Sequence, residues 1–270
     1  MQYRPASLPF LHHGQLDALF RRLAAQRELE YFTVLRWNLC HPTVHTVHLL
    51  AESQALLDRL PPPPPHGAAL ASRVVSRRLR YTDAIAYAHL HLVGRLVVVT
   101  NADIALGEGF HRLDVGMMEG RLLALSRTDI VHGRSPCCCC QQYGGCHDTF
   151  AFKAPLGVDN ASLDIQQNTW GAENAVIAAA CSSHLVVENF CYDLRTYHVH
   201  SSNFRPSQNR SRVVPVDQER WGLPVCAPGL MDSNSQMLCC AHHGLVPDGV
   251  PDPDPRFPTG NDGPKPHVLG

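Results

Sequence analysis

The stretch Leu96-Val97-Val98-Val99-Thr100-Asn101-Ala102-Asp103-Ile104 decides the predicted fold of this chain. Its first five residues are apolar or β-branched without alternation, which is typical of a strand covered on both faces. Open sheets built from such strands bind ligands outside the carboxyl ends of the strands. Asn101 and Asp103 therefore stand where a metal or phosphate ligand is expected, although such a pair more often forms a turn and caps the next helix.

Length and charge restrict the classes of protein to which this chain can belong. Its 270 residues suffice for one large domain with a full core, and the net charge of -1 gives no electrostatic footprint for nucleic acid. No stretch approaches the ~20 apolar residues of a membrane span, and residues 1–5 do not lead into a signal peptide. As written, the sequence predicts a cytoplasmic protein without a nucleic-acid partner or a transmembrane segment. A missing leader would instead place it in the Golgi or secretory lumen.

The chain contains eleven cysteines, which is many for a cytosolic protein. Cys137, Cys138, Cys139 and Cys140 are consecutive, so they do not form a spaced zinc site of the Cys-x-x-Cys kind. Three interpretations remain open: a disulfide-linked loop in an oxidising compartment, a soft-metal or redox-sensitive patch, and a loop without function.

Hydrophobic patterns predict helices and strands that follow one another along the chain. Apolar residues at helical spacing indicate one or two amphipathic helices over residues 16–39, and a short strand follows at 43–50. The prolines at 61–65 mark an exposed connection, since no helix or central strand can contain them. A strand near 74–79, a helix capped by Thr82 or Asp83, and the strand at 96–100 form the unit that builds a parallel sheet. Further strands are predicted at 122–127, 149–153, 185–187 and 193–200, and a further helix at 175–181.

These elements predict an α/β fold in which helices flank a mostly parallel mixed sheet. We expect an N-terminal extension over residues 1–26, a single folded domain over 27–205 and a tail over 206–270. The tail is dominated by proline, asparagine, serine and glycine, so it cannot bury enough apolar surface to fold alone.

Four polar clusters follow one another along the predicted domain. They are Asn101-Ala102-Asp103 after a strand, His147-Asp148 before a strand, Trp170-Gly171-Ala172-Glu173-Asn174 at the start of a helix, and His198-Val199-His200 near the end. Together with Arg78-Leu79-Arg80-Tyr81-Thr82-Asp83 and Leu125-Ser126-Arg127, this series resembles the glycosyltransferases of the nucleotide-diphospho-sugar (GT-A) fold, in particular a bacterial and algal group. The segment at 170–174 is also similar to the Trp-Gly-Gly-Glu-Asn segment of animal galactosyl- and polypeptide N-acetylgalactosaminyltransferases, where it lies beside the donor and acceptor sugars.

The resemblance implies metal-dependent transfer of a sugar from a nucleotide-diphospho-sugar donor to a carbohydrate or protein acceptor. The leaving diphosphate must be neutralised, and Mn²⁺ or Mg²⁺ held by a carboxylate and the substrate phosphates does this. Asp103 is the expected metal anchor, and His198 or His200 can complete the coordination sphere of Mn²⁺. Both histidines could instead be ordinary strand residues satisfied by hydrogen bonds.

The acceptor hydroxyl must lose a proton, so an inverting transfer needs a carboxylate near the reacting carbon. Asp148 and Glu173 are the candidates, with N-capping as the alternative for both. Trp170 and Asn174 are the predicted acceptor contacts, although Trp170 would also suit core packing. The predicted donor contacts are Arg78, Arg80, Asn101 and Arg127. Guanidinium groups offer planar, always charged donors to phosphate, and a solvated surface position is the alternative for each arginine.

The chain departs from the family after the Asn-x-Asp-Ile element, where a further aspartate is usual. Here only Glu108 could supply a nearby second carboxylate. Two other functions remain open: a non-catalytic, diverged carbohydrate-binding relative, and a metal-dependent phosphoesterase that uses Asp103, Asp148, His198 and His200. Such a phosphoesterase usually needs two ions about 4 Å apart, and more carboxylates than the sequence places near Asp103.

Overall fold

The computed structural model describes residues 13–129, 147–169, 171–191 and 193–200. The consecutive cysteines at 137–140, Trp170 and the predicted tail at 206–270 lie outside these ranges. The described part contains four α-helices and nine strands, so the α/β class is confirmed. None of the described helices is both long and apolar enough to cross a membrane.

The first part of the fold is one long helix followed by a parallel pair of strands. Helix α1 spans His13–Leu39 without a break, so the predicted boundary between residues 26 and 27 falls within it. Strand β1 (Thr46–Ala51), helix α2 (Gln54–Leu57) and strand β2 (Ala69–Val74) follow, and β1 pairs with β2 in parallel. The prediction of a strand at 74–79 is wrong. That strand ends at Val74, and Ser76 adopts a positive φ of 61°, which is incompatible with extended backbone.

Helix α3 spans Tyr81–His91 and its start differs from the prediction. Its N-cap is Arg80 rather than Thr82 or Asp83. Asp83 lies in the first turn, where its carboxylate accepts a hydrogen bond of 2.8 Å from the backbone N–H of Arg80. The carboxylate thus satisfies a backbone donor at the helix start, as in a capping box.

Strand β3 (Leu96–Thr100) begins the central sheet, where the apolar run predicts a strand. The elements after it are β4 (Ile104–Leu106), β5 (Arg121–Ser126), β6 (Thr128–Asp129), β7 (His147–Lys153), α4 (Ala172–Ser182), β8 (Val186–Glu188) and β9 (Thr196–His198). The central sheet has the strand order β3-β7-β5-β8, and a smaller sheet has the order β4-β9-β6. Strand β7 runs antiparallel to both of its neighbours, whereas β8 is parallel to β5. In the smaller sheet, β9 is antiparallel to β4 and parallel to β6.

The sheets are mixed, as expected, but they are not mostly parallel. Of the six strand pairs formed by the described residues, three are antiparallel. The predicted parallel pairing of the strands before and after α3 is absent from these pairs, because β2 pairs with β1 and β3 with the antiparallel β7. A buried strand has the same hydrophobic pattern beside either kind of neighbour, so the pattern does not set the strand direction.

Apolar side chains cover both faces of the central sheet. Because successive strand residues point to opposite faces, Leu122 and Phe150 belong to one buried cluster and Leu123 and Leu125 to another. Buried residues of α3 and α4 pack in the first cluster. The sheet thus has the doubly covered character that the run at 96–100 predicts, and polar side chains gather where its strands end.

The described cysteines differ in their redox state. Cys191 is disulfide-bonded, whereas Cys40 is an exposed free thiol. Cys181 is buried in the core, where a thiol packs as a small apolar group.

Candidate functional site

Asp103 and the two C-terminal histidines form one cluster, which we call the Asp103 cluster. Asp103 lies in the turn between β3 and β4 and is 9% exposed. Strand β9 pairs with β4 so that Ile104 lies opposite His198, and the Val199 backbone N–H donates to the Asp103 carbonyl oxygen at 2.8 Å. This register brings His198 Nε2 to 3.2 Å and His200 Nδ1 to 3.8 Å from Asp103 Oδ2. One ligand atom from each of the three side chains lies within 4.8 Å of the other two.

Arg27 of α1 also contacts the Asp103 cluster, which the sequence did not predict. Its guanidinium forms an ion pair with Asp103 Oδ2 and a second ion pair, of 2.6 Å, with Glu30 Oε2 on the next turn of the helix. The guanidinium carbon lies 4.5 Å from the centre of the Tyr31 ring. The ion pair with Asp103 connects helix α1 to the turn between β3 and β4.

The surroundings of Asp103 keep its carboxylate charged. Burial alone would raise the pKa of this carboxyl, because a charged group loses hydration. The hydrogen bond from His198, the nearby imidazole of His200 and the positive charge of Arg27 outweigh burial and hold the pKa well below its usual value. A carboxylate with a lowered pKa beside two imidazoles is a donor set that a divalent transition-metal ion can use.

Asp148 is the centre of a second polar group at the start of β7. Its Oδ1 accepts a hydrogen bond of 2.8 Å from the Asn101 side chain, and its Oδ2 forms an ion pair with Arg127. The backbone of Asn101 also donates to the Asp148 carbonyl oxygen, at 3.2 Å. Asn101 and Arg127, both predicted donor contacts, thus hold the buried Asp148 carboxylate in place.

Glu173 lies in the first turn of α4, close enough to Asp148 for their charges to interact. Burial, followed by repulsion from Asp148, raises its pKa to about 7, although Arg127 and a hydrogen bond with the Tyr81 side chain act in the opposite direction. Tyr81 is itself buried, with its ring edge on Phe150 at 5.7 Å between centroids. Burial and the neighbouring carboxylates raise the pKa of its hydroxyl well above the usual value, so Tyr81 is a neutral hydrogen-bond donor to Glu173.

The two polar groups lie at the same end of the sheets. Asn101, which binds Asp148, is two residues from Asp103 in the turn after β3. Arg127, which also binds Asp148, directly precedes β6, and the register of β6 with β9 places Asp129 opposite His198. The two polar groups are therefore neighbours along one edge of the sheets.

The remaining predicted site residues differ in their exposure and in their contacts. The guanidinium of Arg80 binds Asp164 at 2.9 Å, and Arg78 is exposed. Asn174 is buried beside Glu173 on α4, and its Oδ1 has no hydrogen-bond partner among the described residues. Trp170, the other predicted acceptor contact, lies outside the described residues.

Glu108 does not supply the second carboxylate that its position in the sequence suggests. It is exposed, and its Oε2 accepts a hydrogen bond of 2.7 Å from the Tyr197 hydroxyl. The second carboxylate near Asp103 is Glu30, which reaches it through Arg27. Glu30 and Arg27 form an i,i+3 pair on α1, a spacing that a search of helical pairs could have found.

A cavity of about 570 Å³ lies between α1 and β4, and neither Asp148 nor Glu173 lines it. Its lining comprises Thr33, Arg36, Trp37, Cys40, His41, Pro42, Leu106, Gly107 and Glu108. The Trp37 indole N–H donates to the Leu106 carbonyl oxygen at 2.7 Å while 53% of the residue remains exposed.

The chain matches no protein-family model, no curated protein and no solved structure. Its function is therefore inferred from the chemistry of the site. The fold and site define an α/β protein that brings a buried aspartate and two histidines together near a second pair of carboxyl groups, the buried Asp148 and the half-buried Glu173.

Proposed function

We propose that this protein is a metal-dependent glycosyltransferase that moves a sugar from a nucleotide-diphospho-sugar to a hydroxyl of a carbohydrate or protein acceptor. The observation that carries the proposal is the position of the Asp103 cluster beside the pair Asp148 and Glu173, at one edge of the sheets. The ordered motifs that resemble GT-A glycosyltransferases supply all five of these side chains. A GT-A-like arrangement of the mixed sheets belongs to the same proposal.

The Asp103 cluster suits a divalent ion. It offers one carboxylate oxygen and two imidazole nitrogens within 4.8 Å of one another. Of the two ions that the resemblance implies, Mg²⁺ demands oxygen ligands more strictly, whereas Mn²⁺, a transition-metal ion, also accepts imidazole nitrogen, so we favour Mn²⁺. A bound ion would neutralise the negative charge of the departing diphosphate.

Glu173 is the better candidate for the base that takes the acceptor proton in an inverting transfer. With a pKa of about 7, it is partly ionised at neutral pH and can both accept and release a proton. Both oxygens of Asp148, in contrast, are occupied by Asn101 and Arg127. We therefore assign Asp148 to the electrostatic environment of Glu173 and to contacts with sugar hydroxyls.

The acceptor is proposed to lie against the start of α4. Gly171 precedes this helix with a positive φ of 83° and is only partly buried, so its backbone is accessible without a side chain in the way. The buried Oδ1 of Asn174, which has no partner among the described residues, could accept a hydrogen bond from a sugar hydroxyl.

A non-catalytic carbohydrate-binding relative is the second candidate, and one observation favours it. Arg27 already neutralises Asp103, so the cluster is charge-balanced without a metal ion. A phosphoesterase has less support, because the described residues bring together a single group with metal-ligand geometry, whereas such enzymes usually need two ions.

The compartment is also a proposal. The disulfide at Cys191 is typical of proteins in oxidising compartments, so we favour the secretory lumen over the cytoplasm.

The test is to incubate the full chain with a panel of nucleotide sugars, with and without Mn²⁺, and to measure nucleotide release and thermal stabilisation. We expect release with at least one donor, dependent on Mn²⁺ and abolished by Asp103→Asn. Asp58→Asn is the matched control, because Asp58 is exposed at the end of α2 and should leave release unchanged. Binding of a carbohydrate without release from any donor would support the non-catalytic relative instead.

A further inference from the structure

Arg27 lies between two carboxylates that are themselves almost completely covered. Its Nη1 contacts Glu30 Oε2 at 2.6 Å and its Nη2 contacts Asp103 Oδ2, while only 12% of the arginine side chain is exposed. The side chains of Glu30 and Asp103 are 7% and 12% exposed. Because Arg27 and Glu30 lie one turn apart on α1, the guanidinium bridges the helix and the rim of the sheet.

The arginine and a divalent ion would need the same oxygen atom. Asp103 Oδ2 is the atom that faces Arg27, His198 and His200. An ion held by this oxygen and the two imidazoles would lie next to the guanidinium, and two cations in a poorly hydrated site repel each other strongly. An ion can therefore occupy the cluster fully only when the guanidinium withdraws from Asp103.

Glu30 makes such a withdrawal feasible. Leaving a buried charge without a partner is strongly destabilising. Arg27 avoids this cost because its contact with Glu30 is made by a different nitrogen from its contact with Asp103. When it leaves Asp103, the arginine keeps one buried carboxylate as its partner.

We propose that Arg27 is a tethered competitor of the divalent ion at Asp103, and that Glu30 acts through Arg27 by holding the displaced guanidinium. This inference rests on the metal site of the proposed function. Metal binding would therefore break the ion pair between Arg27 on α1 and Asp103 in the β3–β4 turn, and leave Arg27 paired with Glu30 within α1. Arg27 and Glu30 are positioning residues of the site and do not touch the ion.

The test is Mn²⁺ binding to the full chain, measured by titration calorimetry in the absence of any nucleotide or sugar. Arg27→Gln should bind Mn²⁺ about tenfold to a hundredfold more tightly than the unaltered chain, the range typical of residues that tune a metal site without contacting the ion. Glu30→Gln should bind it more weakly, because the arginine then has only Asp103 as a partner. The double variant should bind as tightly as Arg27→Gln, since Glu30 acts only through the arginine.

The matched control is Arg22→Gln, an exposed arginine on the same helix, which should leave the affinity unchanged. Circular dichroism confirms that each variant is folded. If Arg27→Gln alone does not fold, the double variant is compared with the unaltered chain instead, because it removes both charges of the Arg27–Glu30 pair. Binding by the double variant that is no tighter than that of the unaltered chain would then overturn the proposal.

Three other results would overturn it. Mn²⁺ affinity that is unchanged or reduced in Arg27→Gln contradicts competition. If the double variant binds Mn²⁺ more weakly than Arg27→Gln, then Glu30 acts as a ligand of the ion and not through the arginine. If no variant binds Mn²⁺, there is no metal site at Asp103 for which Arg27 could compete. The expected pattern of affinities without transfer from any nucleotide sugar would overturn only the proposed function.

Discussion

Two carboxyl groups at the same sheet edge, the buried Asp103 and the half-buried Glu173, have opposite protonation behaviour. Asp103 is surrounded by groups that donate hydrogen bonds or carry positive charge, so its pKa is held well below the usual value. Glu173 is half-buried beside another carboxylate, and desolvation and this neighbour raise its pKa to about 7. Pairs of acids whose environments separate their pKa values are typical of sites that divide two tasks between them. The difference suggests that Asp103 binds a cation while Glu173 exchanges a proton.

The largest effect that separates these two tasks is expected from Glu173→Gln. Glutamine keeps the shape of the side chain but cannot take a proton, so the transfer rate should fall by about a hundredfold to ten-thousandfold. Mn²⁺ affinity should stay the same, because Glu173 is not one of the three prospective ligands. Steady-state rates of nucleotide release and Mn²⁺ titrations measure the two quantities separately. Loss of both together would contradict the division of tasks.

A smaller effect is expected from replacing the histidines. His198→Ala and His200→Ala should each weaken Mn²⁺ binding by at least the roughly tenfold to hundredfold typical of residues that only orient a ligand, since each removes one prospective ligand. The pH dependence of the transfer that remains at saturating Mn²⁺ should be unchanged. His45→Ala is the control, because His45 is exposed before β1. An equal affinity in all three variants would show that the imidazoles do not bind the ion.

The pH dependence of stability tests the environment of Glu173 without any ligand. Its pKa is raised from 4.5 to about 7 on folding, so the folded state keeps a proton that the unfolded chain has already lost between these values. The stabilisation is therefore present below pH 4.5 and is lost as the pH rises through about 7. The unaltered chain therefore loses stability as the pH rises through this range, whereas Glu173→Gln does not. The difference in free energy of unfolding between the variant and the unaltered chain should change by up to about 3 kcal/mol in favour of the variant.

Urea denaturation at several pH values measures this difference. Glu52→Gln, at an exposed position after β1, is the control and should follow the unaltered chain at every pH. A difference between Glu173→Gln and the unaltered chain that does not change with pH would mean that Glu173 has an ordinary pKa.

The smallest effect is expected from Tyr81→Phe. The hydrogen bond from Tyr81 lowers the pKa of Glu173, so its loss should raise that pKa and shift the midpoint of the pH–rate profile upward by less than about one unit. Tyr87→Phe is the matched control and should leave the midpoint unchanged. Tyr87 lies on the same helix as Tyr81, but its hydroxyl is hydrogen-bonded to His48 at 2.9 Å. A downward shift in Tyr81→Phe would contradict the assigned direction of this hydrogen bond.

Local patterns predicted much of the fold. The apolar run at 96–100 identified β3, and Glu173 was expected in the first turn of a helix, which the structure begins at Ala172. Strand direction was not predictable, because β7 has the same buried pattern whether its neighbours run parallel or antiparallel.

The composition of the site was predictable only in part. Asp103, His198 and His200 are recognisable because each belongs to a short polar motif near the end of a strand. Arg27 is 76 positions from Asp103 and lies among other charged residues of a long helix, so no local pattern distinguishes it. Tyr81 appears in the sequence as part of a helix start, and only the packing of α3 beside α4 reveals its hydrogen bond with Glu173.

The measurement that tests the central proposal most directly is pulsed electron paramagnetic resonance of the full chain with Mn²⁺ at saturation and ¹⁵N-labelled histidine. Coordination by His198 and His200 predicts magnetic coupling of the ion to two histidine nitrogens, which Asp103→Asn should abolish by removing the anchor. Coupling to water alone, or a histidine signal that persists in Asp103→Asn, would contradict a metal site at Asp103.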